Sequence, residues 1–146
     1  MTCSCDSSRA ATWLPASNEA QLARILIAED EEAVRGLIAR ALAQDGHEVV
    51  STCNGAEALD ALGRAGMPFD LLLADIQMPV MDGIALALAA ARDHPTVAIM
   101  LMTAYADQRE RATGLDRLIR DVISKPFTLD TLRAAVKNAL RSRAAQ

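Results

Sequence analysis

The sequence predicts an α/β fold, a doubly wound parallel sheet of five strands with five helices around it. From Arg24 onward, short apolar runs alternate with amphipathic stretches, which is the pattern of successive βαβ units. Three of the apolar runs also end in charge, at Glu29, Asp75 and Lys125. Because ligands bind at the carboxyl ends of the strands in such sheets, we expect these three ends to share one site.

Five apolar runs are the candidate strands. The clearest begins at Phe69 and ends at Asp75, because a carboxylate that closes a buried strand is costly unless that end opens onto a polar site. The five predicted strands are Ile25–Ala28, Glu48–Ser51, Leu71–Ala74, Val97–Met102 and Val122–Ser124.

Five stretches with helical periodicity accompany the strands. Asn54 and Thr128 are expected to cap the second and fifth helices, with Glu57 at the capping-box position, and Gly46 is expected to end the first. The fourth stretch predicts a helix least strongly, because it is strongly charged and interrupted by Gly114. The predicted helices are Glu32–Ala43, Gly55–Arg64, Ile84–Arg92, Asp107–Arg120 and Leu129–Arg141.

Composition narrows the classes of function. The 146 residues suggest one domain, and with 51% hydrophobic but only 3% aromatic residues its core must be aliphatic. The net charge of −4 and the pI of about 5.1 argue against sequence-independent binding of nucleic acid, which needs a basic surface. No apolar run approaches the ~20 residues of a membrane span. Since the three cysteines have no framework spacing and no secretory signal is evident, we expect a cytoplasmic location.

The chain is expected to divide into three parts. Residues 1–22 are small, polar and irregular, which predicts a flexible N-terminal extension, although Trp13-Leu14 could dock on the domain surface. Residues 23–142 are predicted to form the domain, and residues 143–146 a C-terminal tail.

Four separate motifs give the domain a family resemblance. They are Ile25–Asp30, Leu72–Gly83 with its Asp-x-x-Met-Pro-x-Met-Asp-Gly pattern, Met102–Ala104 and Ser124–Phe127. In this order they resemble the response-regulator receiver domains of the CheY-like superfamily, over roughly residues 23–142. The resemblance implies the flavodoxin-like strand order 2-1-3-4-5.

The resemblance also implies roles for three site residues. Asp75 matches the phospho-accepting aspartate, whose carboxylate attacks a phosphohistidine or a small phosphodonor and becomes an acyl phosphate. Lys125 matches the lysine that pairs with this aspartate and then with the phosphoryl oxygens. Thr103 matches the hydroxyl that hydrogen-bonds the phosphoryl group. The alternatives are an aspartate that caps a turn, a surface lysine and a threonine that merely ends a strand. Pro126 is expected to follow a cis peptide that aims the lysine inward.

An Mg²⁺ site is the second implication of the resemblance. Asp30, Asp75 and the backbone carbonyl of Gln77 would coordinate the ion directly, and Glu29 would act largely through water. Magnesium prefers such oxygen ligands and keeps several waters. The alternative for Glu29 and Asp30 is an acidic first helical turn that the helix dipole stabilises.

The predicted function is that of a phosphorylation-dependent response regulator in a two-component phosphorelay. The implied partners are a sensor histidine kinase or histidine phosphotransferase and a downstream protein, without nucleic acid or membrane. A finer resemblance, to stand-alone CpdR-type receivers, implies an adaptor role in regulated proteolysis.

Several alternatives remain open. Val122 stands where many receivers carry an aromatic residue that swings inward on phosphorylation, so a constitutive interaction module is one alternative. A receiver cut from a larger regulator is another. A phosphatase would commonly need a second aspartate two residues after the nucleophile, where Gln77 stands, so we expect no enzyme beyond self-phosphorylation and self-dephosphorylation at Asp75.

Overall fold

The protein contains one parallel sheet of five strands. The structure is a computed structural model that describes residues 22–64, 66–104, 114–115 and 117–145. The strand order is β2-β1-β3-β4-β5, which confirms the predicted fold and its order 2-1-3-4-5. The strands are β1 Arg24–Ala28, β2 Glu48–Thr52, β3 Leu71–Asp75, β4 Ala98–Thr103 and β5 Asp121–Ser124.

Four helices are present in the described part of the chain, and each matches a predicted one. The last continues beyond the predicted end at Arg141, into residues 143–145 of the stretch predicted as a tail. The helices are α1 Glu32–Gln44, α2 Gly55–Arg64, α3 Gly83–Asp93 and α4 Leu129–Ala145. None of these described helices is both long and apolar enough to cross a bilayer.

The prediction of a helix over Asp107–Arg120 is wrong at its C-terminal end. Residues 114–115 and 117–118 form turns, whereas residues 107–113 and 116 lie outside the described residues. The reason lies in the sheet: the N–H of Arg120 already donates to the carbonyl of Ile99 in β4 at 2.7 Å. The backbone is therefore leaving helical geometry to enter β5 before the predicted helix would end.

The helix caps follow the sequence closely, with one shift. The side chain of Asn54 accepts a hydrogen bond from the N–H of Glu57 at 2.8 Å, and the hydroxyl of Thr128 accepts one from the N–H of Thr131 at 3.0 Å. The carboxylate of Glu57 reaches the N–H of Cys53 rather than that of Asn54, at 3.2 Å. The capping box is thus displaced by one residue.

Two aliphatic cores lie on opposite faces of the sheet. Because side chains alternate along a strand, Leu26 and Ala28 face α2 and α3, whereas Ile25 and Ile27 face α1 and α4. All of β3 is buried. The only aromatic side chain among the fully or nearly buried described residues is Phe69, as the low aromatic content predicts.

A close contact holds the loop that follows β3. The N–H of Gly83 donates to the carbonyl of Ile76 at 2.8 Å, and a Cβ at Gly83 would lie 2.3 Å from the carbonyl oxygen of Asp75. Only glycine therefore lets α3 begin directly against the end of β3. This contact determines where the Asp75 backbone lies.

We expect Gly83→Ala to destabilise the protein by about 1–3 kcal/mol, the usual cost of overpacking, since the Asp75 backbone would have to move. Chemical denaturation measures the free energy of unfolding. Gly63→Ala in α2 is the matched control, because a Cβ there meets nothing within 4 Å and alanine favours the helix. Equal stability of Gly83→Ala and wild type would contradict this reading of the loop.

Candidate functional site

The carboxyl edge of the sheet brings three charged side chains together. Glu29 follows β1, Asp75 ends β3 and Lys125 follows β5. The strands are aligned in register, with Ala28 opposite Ala74, so their ends lie side by side. Glu29 is fully buried and Asp75 is 5% exposed, in agreement with a strand end that opens onto a polar site.

Lys125 bridges the two buried carboxylates. Its Nζ donates to Oε1 of Glu29 and to Oδ2 of Asp75, each at 2.8 Å. The peptide bond between Lys125 and Pro126 is cis, as predicted. Two charge-assisted hydrogen bonds offset part of the cost of burying the carboxylates. Lys125 is therefore an interior ion-pair partner and not a surface lysine.

The carboxylates of Glu29, Asp30 and Asp75 form one cluster. One oxygen of each carboxylate lies within 4.8 Å of the chosen oxygens of the other two, and Asp30 is exposed at the mouth. When ionised, three carboxylates beside one ammonium leave a surplus of two negative charges. Hard oxygen ligands with surplus negative charge fit a hard divalent cation such as Mg²⁺.

Asp75 also makes a local contact at the start of the next loop. Its Oδ1 accepts a hydrogen bond from the N–H of Gln77 at 3.2 Å, so the turn-capping role exists alongside the lysine pairing. Use of the Gln77 carbonyl as a metal ligand stays a prediction.

Thr103 lies at the end of β4, beside Lys125. It is 2% exposed, and its carbonyl accepts the N–H of Lys125 at 2.7 Å. The backbone of Thr103 thus helps to hold the lysine in place. The role of its hydroxyl toward a phosphoryl group stays a prediction.

Arg35 supports the site although the sequence analysis did not identify it. Its Nη1 donates to the carbonyl of Glu29 at 2.9 Å, and the N–H of Glu31 donates to Oε2 of Glu29 at 3.1 Å. These contacts fix the backbone and one carboxylate oxygen of Glu29. Arg35 lies in the first turns of α1, directly after the acidic residues. This position in the helix is the sequence feature that could have identified it as a neighbour of Glu29.

Val122 packs away from the acidic cluster. It is partly buried among the residues on the α2 and α3 face of the sheet, near Leu115 and Ile119. The described residues next to β5 therefore form an aliphatic contact there. Tyr105, which follows Thr103-Ala104 in the sequence and is a candidate for part of the missing aromatic role, lies outside the described residues.

Burial gives Glu29 an unusual proton affinity. Loss of solvent raises the pKa of Glu29 to about 7, against the opposing hydrogen bonds from Lys125 and from the N–H of Glu31. Loss of solvent alone would lower the pKa of Lys125, but its hydrogen bonds to Asp75 and Glu29 raise it overall. Lys125 therefore stays charged at neutral pH, whereas Glu29 titrates there.

The raised pKa of Glu29 predicts how the free energy of unfolding depends on pH when no metal is bound. Since its folded pKa lies above the unfolded value of 4.5, Glu29 contributes stability below pH 4.5 that is lost as the pH rises through about 7. We expect the stability of wild type relative to Glu29→Gln to fall between pH 5 and pH 8. Denaturation in EDTA at several pH values measures this difference, and Glu32→Gln, the same change at an exposed position of α1, is the control. Parallel pH profiles for wild type and Glu29→Gln would contradict the prediction.

Comparison with known proteins agrees with this geometry. Residues 25–137 match the family model of the response regulator receiver domain. The DNA-binding transcriptional regulator NtrC of Escherichia coli (strain K12) is 35% identical over 116 residues, which are 80% of this chain and 24% of NtrC. The chain therefore spans about a quarter of the length of that relative.

Solved receiver structures share the fold. A CheY-like receiver domain protein from Methanospirillum hungatei JF-1 has a TM-score of 0.77 at 27% identity, and the match covers 85% of this chain and 98% of the other. The response regulator TrrA from Thermotoga maritima, in complex with Mg²⁺ and BeF, has a TM-score of 0.70 at 30% identity and coverages of 80% and 97%. The chain belongs to the response regulator receiver domain family.

Proposed function

We propose that Asp75 accepts a phosphoryl group from a phosphohistidine, carried by a sensor histidine kinase or a histidine phosphotransferase. The observation that supports this most strongly is the position of its carboxylate, within the acidic cluster and 2.8 Å from the Lys125 ammonium. An oxygen of Asp75 attacks the phosphorus atom, the P–N bond breaks, and its electron pair stays on the imidazole nitrogen of the donor.

We propose that the Lys125 ammonium pairs with the negative charge at each stage of the transfer. It already donates to Oδ2 of Asp75, and the negative charge moves onto the phosphoryl oxygens when the acyl phosphate forms. A flexible ammonium with several donors can pair with those oxygens while it keeps its bond to Glu29. The Thr103 hydroxyl is proposed as a second donor to the phosphoryl group.

Mg²⁺ is the proposed cofactor, held by Asp30, Asp75 and the carbonyl of Gln77. Bound there, it supplies positive charge that reduces repulsion between the acids and the phosphoryl group. Glu29 fits a role through water better than direct ligation, because Oε1 already accepts from Lys125 and Oε2 from the N–H of Glu31.

The proposed output is a change in a protein–protein contact, as in switches where a local charge biases a two-state surface. Several points stay predictions. They are the downstream protein, an adaptor role in proteolysis, the lack of a nucleic-acid partner, the cytoplasmic location and the boundaries of the domain. The packing of Val122 favours one alternative, a constitutive interaction module. That alternative predicts equal partner binding by phosphorylated wild type and by Asp75→Asn.

We expect incubation with acetyl phosphate and Mg²⁺ to add one phosphoryl group to the wild-type chain, and none to Asp75→Asn, which lacks the nucleophile. Intact-mass spectrometry measures the addition. Asp60→Asn is the matched control, since Asp60 lies on α2 in a surface ion pair with Arg64. An unmodified wild type, or a modified Asp75→Asn, would refute the assignment of Asp75.

A further inference from the structure

A cavity of about 510 Å³ lies at the opposite edge of the sheet from the acidic cluster. It lies between the end of α1 and the outer side of α4, and its walls include Leu22, His47, Ala134, Lys137 and Leu140. Cavities of roughly 300–1,000 Å³ hold ligands of drug size, so this one has room for two side chains such as an indole and an isobutyl group.

Three of the six polar side chains in the cavity wall have partners, namely Asp45, His47 and Arg133. Arg133 pairs with Asp45 at 3.3 Å and donates to Oε1 of Gln44 at 3.2 Å. Nδ1 of His47 accepts the N–H of Ala23 at 3.1 Å, and burial lowers the pKa of this histidine. His47 is therefore a neutral acceptor.

Lys137, Asp130 and Asn138 complete the polar lining, and none of the ion pairs between described residues includes Lys137 or Asp130. The cavity thus offers an apolar space beside the ammonium of Lys137 and the carboxylate of Asp130, neither of which forms an ion pair with another described residue.

The chain enters the described structure at this cavity. Leu22 is the first described residue, lines the cavity and is 55% exposed. Residues 1–21 therefore connect directly to the cavity wall. The interval from Trp13 to Leu22 can span up to about 30 Å when extended, so Trp13 can reach any part of the cavity.

We propose that the segment of residues 1–21 folds back into this cavity, with Trp13 and Leu14 filling it and Glu19 facing Lys137. The segment supplies a large apolar pair for the open space of the cavity and, three residues before Leu22, a carboxylate for Lys137. A tryptophan buries about 150–250 Å² of surface, the largest apolar contribution available in residues 1–21.

The fluorescence of Trp13 tests the proposal, because it is the only tryptophan of the chain. In the folded 146-residue chain we expect a blue-shifted emission maximum and protection from acrylamide quenching, relative to the chain unfolded in denaturant. Ala134→Glu places a longer, charged side chain in the cavity and offers Lys137 a competing carboxylate. This variant is expected to shift the emission to that of the unfolded chain and to remove the protection.

Ala85→Glu is the matched control. Ala85 is an exposed alanine in the first turn of α3, on the other face of the sheet, and this variant should keep the wild-type emission and quenching. Circular dichroism checks that both variants fold.

Three results would overturn the proposal. They are wild-type emission at the unfolded wavelength, an Ala134→Glu spectrum identical to wild type while the variant is folded, and a blue shift that disappears on dilution. The last result would show that the segment occupies the cavity of a second copy.

Discussion

The ammonium of Lys125 is the interaction on which the site depends. It joins Glu29 and Asp75, which lie at the ends of the adjacent strands β1 and β3, through two hydrogen bonds of 2.8 Å. Burying a carboxylate without a partner costs on the order of several kcal/mol. The carboxyl edge of the sheet can therefore hold two buried carboxylates only because Lys125, at the end of a third strand, pairs with both of them.

The surrounding backbone serves the same arrangement. Gly83 allows α3 to start against Asp75, and the carbonyl of Thr103 holds the N–H of Lys125. Arg35 holds the carbonyl of Glu29 in a similar way. The geometry of the three charged side chains is thus set by main-chain contacts, while the surplus negative charge of the carboxylates is left for a cation.

The strands and the gathering of charged residues at one edge of the sheet could be predicted from the sequence. Apolar periodicity indicates the strands, and the charged residues follow them directly. Lys125 was expected beside Asp75, but its second bond, to Glu29, depends on side-chain length and depth that no pattern reports. The support from Arg35 depends in the same way on the path of one helix. The prediction of a helix up to Arg120 was wrong because hydrogen bonding to β4 outweighs the local helix propensity there.

The central claim is that Lys125 and Mg²⁺ share the carboxylate of Asp75, and a magnesium titration tests it most directly. Calorimetry at pH 8, where Glu29 is largely ionised, compares wild type with folded Lys125→Met. Removing the competing ammonium should lower the Kd for Mg²⁺ by at least about fivefold, or roughly 1 kcal/mol. An unchanged or higher Kd would contradict the account.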